Sequence, residues 1–208
     1  MAEAKTYTTL GKFGQGEYEE KRSVFIGSAA HVENEEAARE FVAGIKKKYS
    51  DARHNAWAYL MTEGGIARFT DDSEPQGTAG APILNVIKGS GAFDCAVVVT
   101  RYFGGILLGT GGLVRAYTEA ARLAVADAGV VTYREYTELE VVVSYSEYQR
   151  LTPELARFAA LTDSVDFGAE VTVRAAVLSE TADAFAARVS ELTSGKGRIS
   201  RTGVRFDA

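Results

Sequence analysis

Between Ala96 and Tyr117 the chain passes from a continuous apolar run, Ala96-Val97-Val98-Val99, through five glycines into apolar spacing of helical period. Four consecutive small or β-branched apolar residues mark a buried strand. Leu113, Tyr117, Ala120, Ala121 and Ala124 then mark the inward stripe of a helix that ends before Gly129. The connection carries Gly104, Gly105, Gly109, Thr110, Gly111 and Gly112. Glycines let main-chain N–H groups turn toward a ligand, and the following helix start adds partial positive charge, so this passage is a candidate anion site. Arg101 and Arg115 flank it and can supply charge-assisted hydrogen bonds. A tight crossover that needs small residues for packing accounts for the glycines equally well. No Gly-Lys-Ser/Thr follows, and Val114 stands where a dinucleotide fingerprint needs its third glycine.

Composition narrows the classes. The 208 residues are 46% hydrophobic and 25% charged with 3 prolines, which excludes collagen-like and Pro-rich chains. No apolar stretch is long enough to cross a bilayer as a helix, and Ala-Glu-Ala-Lys after Met1 does not read as a secretory signal. Cys95 has no second cysteine to bridge, and with His31 and His54 it makes no zinc constellation. A soluble cytoplasmic protein is expected. The net charge of −5 argues against a strongly basic nucleic-acid binder, so any phosphate recognition must be local.

Residues 8–31 read as strand interrupted at Gly11, Gly14 and Gly16, and Asn34 caps a helix that runs to Tyr49. Lys46, Lys47 and Lys48 suit the C-terminal turn of that helix. Strands are expected over 55–62 and 66–70, a short helix from Pro82 to Lys88, a strand over 93–102 and a helix over 113–128. Past Gly129 the order is strand, helix, strand, strand, helix, strand, the ferredoxin-like split βαβ arrangement. The fold class is therefore α+β in two domains, divided as 1–133 and 134–208.

The polar loop from Asp71 to Gly80 is a second candidate. Asp71, Asp72 and Glu74 can hold Mg²⁺ or supply a general base, with Gln76 and Thr78 beside them; a loop ending in helix caps explains the same residues. His54 reads either as an acid–base group or as a structural strand-edge histidine, and Cys95 as a small hydrophobe. Lys196, Arg198, Arg201 and Arg205 form a basic edge that can contact RNA phosphates or guard an edge strand against aggregation; period-two alternation places Arg201 and Arg205 on one face and Arg198 on the other.

Three separated motifs occur in order: Asp71-Asp72-x-Glu74-Pro75-x-Gly77-Thr78-Ala79-Gly80, Val98-Val99-Thr100-Arg101-Tyr102-Phe103-Gly104-Gly105, and Leu108-Gly109-x-Gly111-Gly112-Leu113-Val114-Arg115-Ala116-Tyr117. They resemble the IMPACT/YigZ family over about residues 20–128, with Ser73 standing where glycine is expected and Thr110 where alanine is common. The resemblance implies a first domain of the ribosomal-protein type, an α/β sandwich like domain IV of elongation factor G, and a small ferredoxin-like second domain like domain V. It also implies translational regulation, since eukaryotic members compete for the ribosome-associated activator of an initiation-factor kinase. The leading expectation is a non-catalytic, translation-associated protein. Its cleft of Arg101, the 104–112 loop, Arg115 and the 71–80 loop would bind RNA phosphate or a ribosome-associated protein, with no cofactor. An Mg²⁺-dependent enzyme of a small phosphorylated metabolite or nucleotide, and a protein-interaction module that needs no anion, are the alternatives.

Overall fold

The computed structural model describes residues 5–208. The chain divides into a unit of residues 8–132 and a second unit of residues 133–208, to which residues 5–7 also belong. That segment departs from the expected division: Thr6–Leu10 (β1) joins the sheet of the second unit by pairing with a late strand, a partnership invisible to a reading along the chain.

The first unit is built on a five-stranded antiparallel sheet of Gly14–Glu20 (β2), Ser23–His31 (β3), His54–Leu60 (β4), Ala67–Thr70 (β5) and Cys95–Tyr102 (β6), in the order β2-β3-β6-β4-β5. Glu35–Lys48 (α1) packs on one face, where Val42 and Ile45 meet Val98. Gly80–Ser90 (α2) and Gly109–Ala128 (α3) cover the other, burying Val97, Val99, Ala56, Ala58 and Phe25 under Ile83, Ile87, Leu113, Tyr117 and Ala120. Apolar residues on both faces explain why the central strand β6 reads as an unbroken hydrophobic run. The Asn34 side chain accepts from the Ala37 N–H and caps α1.

Two expectations change here. Gly14 and Gly16 do not interrupt a strand; they lie inside β2, and with Gly27 of β3 they let α3 press its backbone onto the sheet. A Cβ at Gly27 would stand 2.2 Å from the Ala120 carbonyl oxygen, and one at Gly14 2.3 Å from that of Ala124. The helix predicted from Leu113 begins four residues earlier, at Gly109, so three of the five glycines are helical.

In the second unit Val130–Val143 (β7), Tyr145–Arg157 (α4), Leu161–Phe167 (β8), Val171–Leu178 (β9), Ala182–Leu192 (α5) and Arg198–Asp207 (β10) follow the expected order. The strands align as β10-β7-β9-β8, all neighbours antiparallel, which is the ferredoxin-like arrangement. Leu139, Val141 and Val173 pack against Leu151, Leu155, Phe185 and Val189 of the helices. Ser144 and Glu147 close a capping box at the start of α4. Among the described residues no helix is long and apolar enough to cross a membrane.

Candidate functional site

The carboxy end of β6 and the starts of β3 and β4 meet at one end of the first sheet, since Val24 pairs with Tyr102 and His54 with Arg101. The 71–80 loop and the glycine loop both reach this end, and a buried side-chain cluster joins them. The Glu74 carboxylate (Oε1) accepts from Arg101 (Nη1) at 2.7 Å and from the Tyr117 hydroxyl at 2.8 Å. The side chains of Arg101 and Glu74 are only 7% and 4% exposed. His54 donates through Nδ1 to the Asp72 carbonyl at 2.9 Å, which leaves its Nε2 4.0 Å from Glu74. Burial, reinforced by the Glu74 charge and hydrogen bond, pushes the Tyr117 hydroxyl far above the ordinary tyrosine range.

Arg101 therefore departs from its expected role. Its guanidinium is turned into the domain between the rings of Phe25 and Phe103, 5.4 and 5.5 Å from their centroids, and its Nε–H has no acceptor. Pairing with a buried carboxylate is the cheapest way to hold a cation under two aromatic rings.

The 71–80 loop is held from within. Asp71 accepts from the N–H groups of Gly77, Ala79 and Gly80 at 2.8–3.0 Å, and so satisfies the start of α2, which has no cap of its own. Burial opposes ionisation of Asp71, but these three donors outweigh it and keep the carboxyl below its usual range. Asp72 accepts from the Asn55 N–H at 2.7 Å and from Lys46 at 2.8 Å. Thr78 donates to the Pro75 carbonyl, and Gln76 lies exposed. Asp72 and Ser73 adopt φ of 47° and 69°, the left-handed region, which gives a reason for glycine at the second position. Each carboxylate of the loop is thus engaged by separate protein donors, and among the described residues no trio of His, Cys, Asp or Glu is grouped to hold a metal.

The glycine loop is open. Gly104 stacks on the Arg22 backbone, where a Cβ would fall 2.0 Å from the Arg22 carbonyl carbon, and its N–H donates to Ser23. Gly105 and Gly109 take φ of 85° and 69°. Gly111 has neither reason: it is exposed, and a Cβ there would meet only the Arg115 guanidinium, at 3.9 Å. Thr110 is exposed and Gly112 buried, and no side chain caps the start of α3. Arg115, Lys21, Arg22 and Arg53 are among the described cations that have no carboxylate partner. The first lies on α3 itself, the next two in the β2–β3 turn and the last just before β4. Sequence reasoning missed Lys21, Arg22 and Arg53, because only the strand register brings them to this end.

The C-terminal basic edge is different. Arg198 pairs with Glu170, Arg201 with Asp183, and Arg205 with Asp163 and Glu138, while Lys196 is exposed. A bulge between Arg201 and Gly203 inverts the alternation, so Arg198 and Arg205 share the outer face and Arg201 turns toward α5. Cys95 is buried, its thiol pushed up to about 12 by burial and the charge of Asp94, so it is an inert core residue.

The Impact N-terminal domain family matches residues 21–125, and a domain of unknown function, DUF1949, matches residues 141–196. The chain belongs to the IMPACT family. It is 35% identical over 195 residues to the IMPACT family member YvyE of Bacillus subtilis, covering 93% of this chain and 90% of that one. It is 36% identical to the IMPACT family member YigZ of Escherichia coli, covering 84% and 87%. Protein IMPACT of Oryctolagus cuniculus is 34% identical over 43% of this chain, a stretch amounting to 30% of its own length. A solved structure described as a hypothetical protein shares 30% identity at a TM-score of 0.60, covering 95% of this chain and 98% of the other.

Proposed function

We propose that this chain is a non-catalytic, translation-associated regulatory protein that engages an anionic partner, RNA phosphate or a ribosome-associated protein, at the glycine-loop end of its first domain. The resemblance to regulators of translation supports the first part. One observation carries the second: α3 starts without a cap, its first turn holds an exposed glycine, Gly111, that neither packing nor backbone conformation requires, and four cations without carboxylate partners stand at the same end of the sheet. Uncapped N–H groups and unpaired cations attract negative charge, and a glycine there lets a ligand approach the main chain. Most carboxylates near this end are engaged within the protein: Asp71 by amides, Asp72 by Lys46, Glu74 by Arg101, Asp51 by the Tyr102 hydroxyl and Glu20 by that of Tyr18, leaving Glu19 beside the β2–β3 turn.

The test is co-sedimentation of the full chain with ribosomes over a range of salt. Because Arg101 is buried, the informative variant is Arg22→Ala with Arg115→Ala. If both residues contact RNA phosphate, the slope of log affinity against log salt falls by about 1.4 to 1.8. Unaltered co-sedimentation at every salt concentration removes the proposal.

A further inference from the structure

The loop between β6 and α3 is more than a glycine hinge. Phe103, Ile106 and Leu107 are exposed by 49%, 44% and 83%. Leu107 stands almost wholly in water, between Ile106 and Leu108 in a loop bounded by glycines on either side. One exposed leucine is ordinary, but three large apolar side chains within five residues are not. Further along, Val114 is 37% exposed and borders a groove of about 350 Å³ between α2 and α3 that is also lined by Pro82, Val86 and Thr118. The unpaired cations Lys21, Arg22 and Arg115 stand on either side: Gly104 rests on the backbone of Arg22, and the Arg115 guanidinium reaches back to Gly111.

We infer that the 103–108 loop and the first turns of α3 form a docking surface for an acidic protein segment carrying an aliphatic anchor side chain. This rests on the reading that the glycine-loop end attracts an anionic partner, and commits that partner to protein. The charge pattern selects the sign. Among the described residues Lys21, Arg22 and Arg115 carry no ion pair of their own, the neighbouring Glu20 and Glu119 being engaged by Tyr18 and Arg122, so these cations are complementary to a partner's carboxylates. The apolar tip selects the class. Single-stranded RNA is held by stacking on flat side chains; Ile106 and Leu107 have no flat face, and the Phe103 ring already covers the Arg101 guanidinium. An aliphatic tip with a polar, charged rim is the anatomy of a protein-recognition patch. In the complex, Leu107 and the partner's anchor exclude water, while Arg22 and Arg115 pair with flanking Asp or Glu and set the encounter rate.

The experiment is selection of a phage-displayed random 12-residue peptide library on the full chain, followed by affinity measurements with synthetic versions of the enriched peptides. Leu107→Asp and the pair Arg22→Glu with Arg115→Glu are the comparison variants, each checked for an unchanged thermal midpoint. Enriched peptides should be net negative and carry Leu, Ile, Val or Met. They should bind Leu107→Asp at least tenfold more weakly, and bind the charge-reversed pair as poorly or worse. A library that yields no enrichment, enriched peptides without acidic residues, or peptides indifferent to Leu107→Asp each overturn the inference. A labelled 12-nucleotide oligo-U is run alongside. If it binds through Arg22 and Arg115 while no acidic peptide does, docking of protein is wrong and the anionic reading survives. If oligo-U, peptides and ribosome co-sedimentation all ignore the charge-reversed pair, both are wrong.

Discussion

Glu74 offers the sharpest test of how the first domain is held together. Its carboxylate receives Arg101 at 2.7 Å and Tyr117 at 2.8 Å, and both members of the ion pair are more than nine-tenths buried. Glu74→Gln keeps the shape but leaves a guanidinium in the interior without its counter-charge, a class of change that costs about 3–5 kcal/mol. Tyr117→Phe removes one donor to a charged acceptor while the ion pair survives, for a cost of about 1.5–3 kcal/mol. For a unit of this size each kcal/mol corresponds to roughly 3–5 °C in thermal midpoint, so Glu74→Gln should melt about 10–20 °C lower. Trp57, the one tryptophan of the chain, lies in β4, so its fluorescence during urea unfolding reports this unit rather than the second. The replacement of all three partners, Arg101→Met with Glu74→Leu and Tyr117→Phe, should recover a large part of the loss, because a buried polar cluster often does no better than apolar residues of similar volume. If Glu74→Gln costs less than about 1 kcal/mol, the buried pair does not organise the two loops and the reasoning fails.

The close approach of α3 to the sheet predicts that Gly27→Ala, whose Cβ would lie 2.2 Å from the Ala120 carbonyl oxygen, costs about 3 kcal/mol or more in urea unfolding. Gly111→Ala, with only the Arg115 guanidinium at 3.9 Å, should leave stability unchanged or raise it by up to about 1 kcal/mol and still weaken ribosome co-sedimentation. Ser73→Gly should raise the thermal midpoint slightly, worth up to about 1 kcal/mol, because serine at φ 69° gives up left-handed strain; a fall would show that the Ser73 side chain matters more. Asp71, held below its usual range against the cost of burial, contributes stability that is complete above the unfolded carboxyl range near about 3.9 and is lost as pH falls through its lower folded value. Asp71→Asn should therefore cost about 2–3 kcal/mol at neutral pH, and its deficit relative to the unsubstituted chain should shrink in acid; a deficit independent of pH between 7 and 2 refutes it.

What could be read along the chain was whatever depends on neighbours in sequence. The cap at Asn34, the stripe Leu113, Tyr117, Ala120, Ala121 and Ala124, and the strand–helix order after Gly129 are local patterns, and each element formed where those patterns lie. What escaped depends on register. Gly14 and Gly16 alternate like any two positions on one strand face, and only the helix that lands there gives them a purpose. One unpaired residue in β10 put Arg201 and Arg205 on opposite faces, because a two-residue period keeps no memory across a bulge. The candidate site was divided in the same way. The glycine loop and Arg115 were legible as an open, positive helix start, whereas Arg101 looked identical in sequence to an exposed flanking cation until the chain brought Glu74, 27 residues away in sequence, beneath it. An arginine beside a glycine loop faces two possible counter-charges, a ligand's and the protein's own. Local sequence cannot choose between them; the strand pairing that sets His54, Arg101 and Phe25 side by side does.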